Sequence, residues 1–168
     1  MTYTSAEAAK LLRKLNDNYQ ALIDKEELSR EFHAAVGEDV ESVRPAYDYS
    51  AVQAQLDTIQ AQVRRIKHAI NVFNTTHIVP GFDMTVDEML VHIPQLTKKK
   101  EKLSVMRAQL PKTRVVAYHG TSNIIDYIYL NYDLEAVEAD YERVSDELSR
   151  AQLALDKVNQ TETFEIDL

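Results

Sequence analysis

Two stretches of the chain place apolar residues at strictly alternating steps of three and four. Tyr49, Val52, Leu56, Ile59, Val63, Ile66, Ile70 and Phe73 form one series, and Leu134, Val137, Tyr141, Val144, Leu148, Ala151, Leu155 and Val158 form the other. Such spacing is a heptad seam, a narrow apolar stripe that one helix turns toward a partner. It predicts helices over 50–73 and 134–159. A looser stripe of Ala8, Leu11, Leu12, Leu15, Tyr19, Leu22 and Ile23 continues through Leu28, Phe32 and Val36, and predicts a first helix over 5–36 that stops at Gly37. Val86, Met89, Leu90, Ile93, Leu96, Leu103, Met106 and Leu110 predict a further helix over 86–110. Lys100 falls at one of its seam positions, and Pro94 is expected to remove a backbone hydrogen bond and kink it.

The boundaries carry their own chemistry. Thr4 followed by Glu7, and Thr85 followed by Glu88, have the spacing of capping boxes, while Asp83 and Asp87 add negative charge where a helix dipole favours it. Asp133 is placed to cap the last helix. The polar run Asn71 to Thr76 offers short side chains for the freed groups at a helix end, and Pro80-Gly81 then turns the chain. Residues 37–50 make a connection longer than the usual 2–8 residues between helices. Between 114 and 132 the helical composition gives way to β-branched and aromatic residues around His119-Gly120-Thr121-Ser122-Asn123, which predicts a short β-hairpin.

The expected fold is therefore mainly α: one domain over 1–168, an elongated antiparallel helical bundle with coiled-coil heptad packing, plus the hairpin near 114–132. Helices of this length run close to ~40 Å. A heptad stripe buries only a thin strip, whereas a self-sufficient bundle uses a wider apolar face. Self-association into a homo-oligomer is the expectation that follows, with a separate protein partner as its variant. Three Gly and four Pro suit long uninterrupted elements, and the absence of Cys excludes disulfides, thiol nucleophiles and cysteine-bound metals. A formal charge of −8 argues against general nucleic-acid binding, so the basic cluster Lys98, Lys99, Lys100, Lys102 and Arg107, extended by Lys112 and Arg114, reads as a solvated face paired with acidic helices. No stretch has the length of a membrane span or the apolar core of a secretory signal, so a cytoplasmic location without membrane contact is expected.

A catalytic constellation is not expected either. A di-metal carboxylate bundle needs Glu three residues before His, and none of the five histidines has it. With Gly at 37, 81 and 120 alone, no phosphate-cradling or nucleophile-elbow motif can be assembled. Asp83, Asp87, Glu88 and His92 crowd one helix start, where Glu88 reads as a cap and His92 as solvated. No metal, no cofactor and no catalytic residue is assigned.

The strings Ile70-Asn71-x-x-Asn74-x-Thr76 and Thr85-Val86-Asp87-Glu88-Met89-Leu90, followed by a Lys/Arg/Leu-rich helix, resemble a small bacterial family of unknown function, some of whose members carry the label septicolysin. The run from Leu155 to Leu168 is similar, without gaps, to that family's ending Leu-Asp-x-x-Ile-Gln-x-x-Asn-Trp-x-x-x-Leu. It departs at Asn159, where the family has Ile, and at Thr163-Phe164, where the family has Asn-Trp, so the packing role of that Trp passes to Phe164. The resemblance implies a long-helix coiled-coil bundle and brings no established activity. It points to Asn71, Asn74, Thr85 and Gln160 as polar landmarks and thus as ligand-binding candidates, the amides of Asn71 and Asn74 sharing one helix face. The leading expectation is a non-enzymatic bundle acting by protein association. The alternative is a small-ligand binder or enzyme with a site at one end of the bundle, where Asn71, Asn74, Thr85 and the hairpin around His119 would meet. A septicolysin-like membrane activity stands third, since no amphipathic segment is free to insert without dismantling a seam.

Overall fold

Local capping chemistry starts three of the long helices where the sequence places them, and Asp48, which the sequence reading did not single out, caps the helix that begins at Tyr49. The computed structural model describes residues 1–115 and 126–168, so the expected turn at His119–Asn123 lies outside the described residues. The elements are β1 (Thr2–Thr4), α1 (Ser5–Ser29), α2 (Val40–Val43), α3 (Tyr49–Thr76), α4 (Val86–Arg107), β2 (Lys112–Arg114), β3 (Tyr127–Tyr129), α5 (Leu134–Thr161) and β4 (Thr163–Glu165). At α1 the Glu7 N–H donates to Thr4 Oγ1 at 3.2 Å while the Thr4 N–H donates to Glu7 Oε2 at 2.9 Å. Thr85 and Glu88 repeat the exchange at α4, and the Glu135 N–H donates to Asp133 Oδ1 at 3.0 Å at α5. The fold is mainly α with two small antiparallel β pairs, β1 with β4 and β2 with β3.

The chain gathers into two compact units, residues 1–77 with 157–168 and residues 78–156. In the first, α1 and α3 pack antiparallel. Ala8, Ile66 and Ile166 are buried together, and Tyr3, Leu11, Leu12, Leu15, Ala69, Ile70 and Phe164 close around them. Removing one side chain the size of Ile66 from water contributes about 1.5–3 kcal/mol. Toward the other end of the pair, Gln60 Nε2 donates to Tyr19 Oη at 2.9 Å, and Glu26 Oε1 accepts from Tyr47 Oη at 2.6 Å and Gln53 Nε2 at 3.0 Å. β1 and β4 pair in register Thr2 with Glu165, Tyr3 with Phe164 and Thr4 with Thr163.

The first helix ends at Ser29 rather than at 36, a correction with a local cause. Val52 is the first α3 seam residue to gain cover, so α1 beyond Ser29 has no partner face to lie on; Leu28 is already 83% exposed. The chain turns instead, with the Ala35 N–H donating to the Glu38 carboxylate at 2.8 Å, Gly37 at φ +89° and the Arg44 guanidinium 5.2 Å above the Phe32 ring. Within the connection the Asp39 carboxylate caps α2.

In the second unit α4 lies antiparallel to the first part of α5. His92 Nε2 is 3.0 Å from Glu147 Oε1, Lys100 Nζ stands 5.6 Å from the Tyr141 ring, and Arg107 lies 4.0 Å above that ring and 3.0 Å from Glu138. The lysine at a seam position is thereby explained: it faces an aromatic seam residue, whose π-face attracts a cation. Val86, Met89, Leu96 and Leu103 are buried on α4, and Val137, Val144, Leu148, Ala151 and Leu155 on α5. α4 stops at Arg107 instead of 110, leaving Leu110 67% exposed, and it continues through Pro94. Pro94 is exposed, as is Leu90, whose carbonyl the proline cannot satisfy, so solvent reaches the interrupted turn. The β2–β3 pair starts two residues earlier than 114; Lys112 Nζ sits 4.0 Å from the Tyr127 ring and 5.2 Å from that of Tyr129.

Two predictions follow from this packing. Ile66→Ala empties a fully buried position and is expected to lower the stability measured by urea unfolding by about 2–5 kcal/mol, against less than about 0.5 kcal/mol for an exposed control such as Leu153→Ala. The second concerns Tyr47, whose phenol is pushed up to about 12, first by its hydrogen bond to Glu26 and then by burial. A raised folded value means that this bond contributes stability below the ordinary phenol value of 10 and loses it as pH rises toward about 12. Phenolate absorbance should show one tyrosine ionising at lower pH in Glu26→Gln than in the wild type. Superimposable titration curves would contradict the assignment.

Candidate functional site

The four polar landmarks divide between the two units. Asn71 and Asn74 lie in the last turns of α3, Asn71 exposed and Asn74 half-buried, and Gln160 is exposed in the last turn of α5. Thr85 belongs to the second unit. At the end of α3 the bonding to free carbonyls is done by threonine: Thr75 Oγ1 donates to Asn71 O at 2.9 Å, Thr76 Oγ1 to Val72 O at 2.7 Å, and the His77 N–H to Phe73 O at 2.9 Å. The Thr85 hydroxyl is engaged within its own helix, where the Thr85 N–H, and then its side chain, hold the Glu88 carboxyl below the usual carboxylate range.

A larger concavity of the first unit lies elsewhere. Arg65, His68, Ala69, Val72, Phe73 and Thr76 recur at helical spacing on one flank of α3 and face Phe164, Glu165 and Asp167 of the β4 segment across a groove of ≈ 570 Å³. Its floor is aromatic. The Phe73 and Phe164 rings stack with centroids 4.7 Å apart and 25° between planes, and His77 stacks on Phe73 at 4.7 Å and 22°. Arg65 and His68 make the helical rim basic, while Glu165 and Asp167 make the strand rim acidic. Asn71, Asn74 and Gln160 are not among the lining residues.

The sequence contained two of the signals for this groove. Phe73 ends the α3 seam, and Phe164 stands where the related pattern has Trp. What brings them together is the pairing of residues 2–4 with 163–165, and strands of three residues leave no periodicity to read.

Smaller grooves also run along the α1–α3 pair. One, ≈ 270 Å³, is lined by Asn16, Tyr19, Ile59, Gln60, Val63 and Arg64; another, ≈ 350 Å³, by Leu22, Ala54, Gln55, Thr58 and Ile59. In the second unit, His92 is paired with Glu147 rather than solvated, and Arg143 NH1 lies 4.0 Å from the second oxygen of that carboxylate. Arg143 is held mainly by Asp140 at 2.7 Å, which lowers the Asp140 carboxyl through that hydrogen bond and then through the adjacent charge. Among the described residues no group of three or more His, Asp or Glu is arranged to hold a metal ion, and no helix is long and apolar enough to cross a membrane.

No protein-family model and no curated protein matches this chain. Its fold is similar to that in the crystal structure of a functionally unknown conserved protein from Corynebacterium diphtheriae, with a TM-score of 0.57 and 15% sequence identity over 98% of this chain and 100% of the other. At that identity the likeness is one of fold.

Proposed function

We propose that the protein is a non-enzymatic helical module that acts by self-association, and that its contact face is the open side of the α1–α3 pair. One observation carries this reading: the apolar stripe of α1 beyond Ala8 is incompletely covered. Leu11, Leu12, Leu15, Tyr19, Leu22 and Ile23 are all half-buried, and on α3 so are Val52, Ile59 and Val63. The two grooves expose this seam where Tyr19 and Leu22 meet Ile59 and Val63. A coiled-coil-like stripe in this condition gains further apolar burial from another helix pair.

The composition of the groove rims suits a second copy as the occupant. Two copies of a chain with net charge −8 repel over most of their surface. Yet the groove rims are Asn16, Gln55, Thr58 and Gln60 with a single charge, Arg64. A face depleted of charge at its centre is the composition of interface cores. Kinship with the septicolysin-labelled bacterial family belongs to the same proposal, supported by Phe164 filling the aromatic position that the family gives to Trp.

Light scattering coupled to size-exclusion chromatography tests the reading. The wild type is expected to elute as a dimer or higher oligomer, and Ile59→Lys to elute as a monomer with unchanged helical circular dichroism. Leu153→Lys, a charge placed on an already exposed residue of the second unit, should leave the oligomer intact. A wild type that stays monomeric at high micromolar concentration contradicts the proposal.

A further inference from the structure

The groove between α3 and β4 has a property that the grooves of the α1–α3 seam lack: one of its walls is the edge of a β-strand that is unpaired among the described residues. Ile166 N–H donates to Met1 O at 2.8 Å, and the Met1 nitrogen donates to Ile166 O at 3.2 Å, so residues 1 and 166 form a pair that exchanges both hydrogen bonds. In an antiparallel ladder such pairs alternate with pairs that exchange none. Tyr3 with Phe164 is therefore the next bonded pair, and Thr2 with Glu165 and Thr4 with Thr163 are the non-bonded ones. The N–H and C=O groups of Thr163 and Glu165 accordingly point away from β1. The sheet has two strands, β1 and β4, so these groups face its second edge. An edge with backbone donors and acceptors at alternate residues is a template for an extended chain.

We propose that this groove binds an extended peptide of a partner protein by adding it as a third strand to the open edge of β4. The backbone of Thr163 and Glu165 supplies the pairing, and the side chains define the sequence that fits. Alternate residues of an added strand point toward the helices, where Ala69, Val72, Phe73 and Phe164 form an apolar floor; these peptide residues are apolar. The residues between them lie on the same side as Glu165 and Asp167, and are basic, since opposite charges on neighbouring strands attract. Ile66 and Ile166 are buried together while Phe73 meets Phe164, so α3 runs antiparallel to β4 and its Arg65–His68 end adjoins Asp167. A free carboxylate at that end of the peptide meets the guanidinium of Arg65 and the His68 ring. The groove volume of ≈ 570 Å³ suits a few side chains rather than a folded domain.

The test uses the full chain and a fluorescein-labelled hexapeptide alternating lysine and valine with a free C-terminal carboxylate, read by fluorescence anisotropy. A peptide of the same composition with its lysines and valines in separate blocks is the control. Saturable binding of the alternating peptide, at least about tenfold tighter than the control, is expected. Glu165→Pro removes an N–H that points away from β1, so it should abolish binding while leaving the melting temperature near that of the wild type. Val72→Arg, on an exposed groove residue, should abolish binding independently, and Arg65→Glu should weaken it about tenfold or more, the scale of one charge-assisted contact. Equal binding of the two peptides would reduce the effect to net charge and overturn the proposal. So would undiminished binding by a folded Glu165→Pro variant, or the absence of wild-type binding at millimolar peptide. Loss of self-association, rather than of peptide binding, in Glu165→Pro would assign the edge to a second copy and overturn it as well.

Discussion

The first unit depends on a single apolar contact among three segments distant in sequence. Ile66 from the middle of α3 is sealed by Ala8 from the second turn of α1 and by Ile166 from the residues after β4. The hydrogen bonds of one pair of three-residue strands would not hold residues 163–166 in place on their own, because a two-stranded ribbon is marginal in water. Burial of Ile166 fixes the segment, the ladder to β1 then forms at little further entropic cost, and Phe164 is delivered onto Phe73. The aromatic stack continues onto His77, whose ring lies 4.7 Å from that of Phe73.

The second unit is held by different physics. Buried aliphatic residues line α4 and α5, but the contacts that set their antiparallel register include a half-buried His92–Glu147 pair and two cations over Tyr141. Exposed ion pairs such as Arg143 with Asp140 contribute little, because solvent screens them. Tyr141 matters more because it turns Lys100, a charge at a seam position, from a defect into a contact. The β2–β3 pair repeats the theme with Lys112 between two tyrosines.

Features governed by nearest neighbours were legible in the sequence. Thr4–Glu7, Thr85–Glu88 and Asp133 cap the helices that their spacing implied, and the 3-4 seams mark residues such as Leu56, Ile66, Val144 and Val158 that are buried. Features governed by distant partners were not. The end of α1 depends on where α3 begins to cover it, which no pattern within 5–36 records. The β1–β4 pair joins residues more than 150 apart through three-residue strands. The groove was hidden for the same reason: Arg65, His68 and Val72 sit beside the α3 seam rather than on it, and acquire meaning only when β4 is laid against them. Asn71 and Asn74 drew attention as amides on one face, while the exposed end of α3 is tied by Thr75 and Thr76 hydroxyls instead.

Incomplete cover unites these features. An α1–α3 seam that is buried at Leu56, Ile66 and Phe73 but not at Val52, Ile59 and Val63, and a sheet with an open edge, both leave capacity for contact that the first unit does not use itself. Native mass spectrometry of gently purified protein tests this account most directly, because one spectrum reports the number of chains and any retained small mass. The account predicts a defined oligomer whose mass is a multiple of the chain alone. A monomer carrying a stoichiometric small molecule would contradict it.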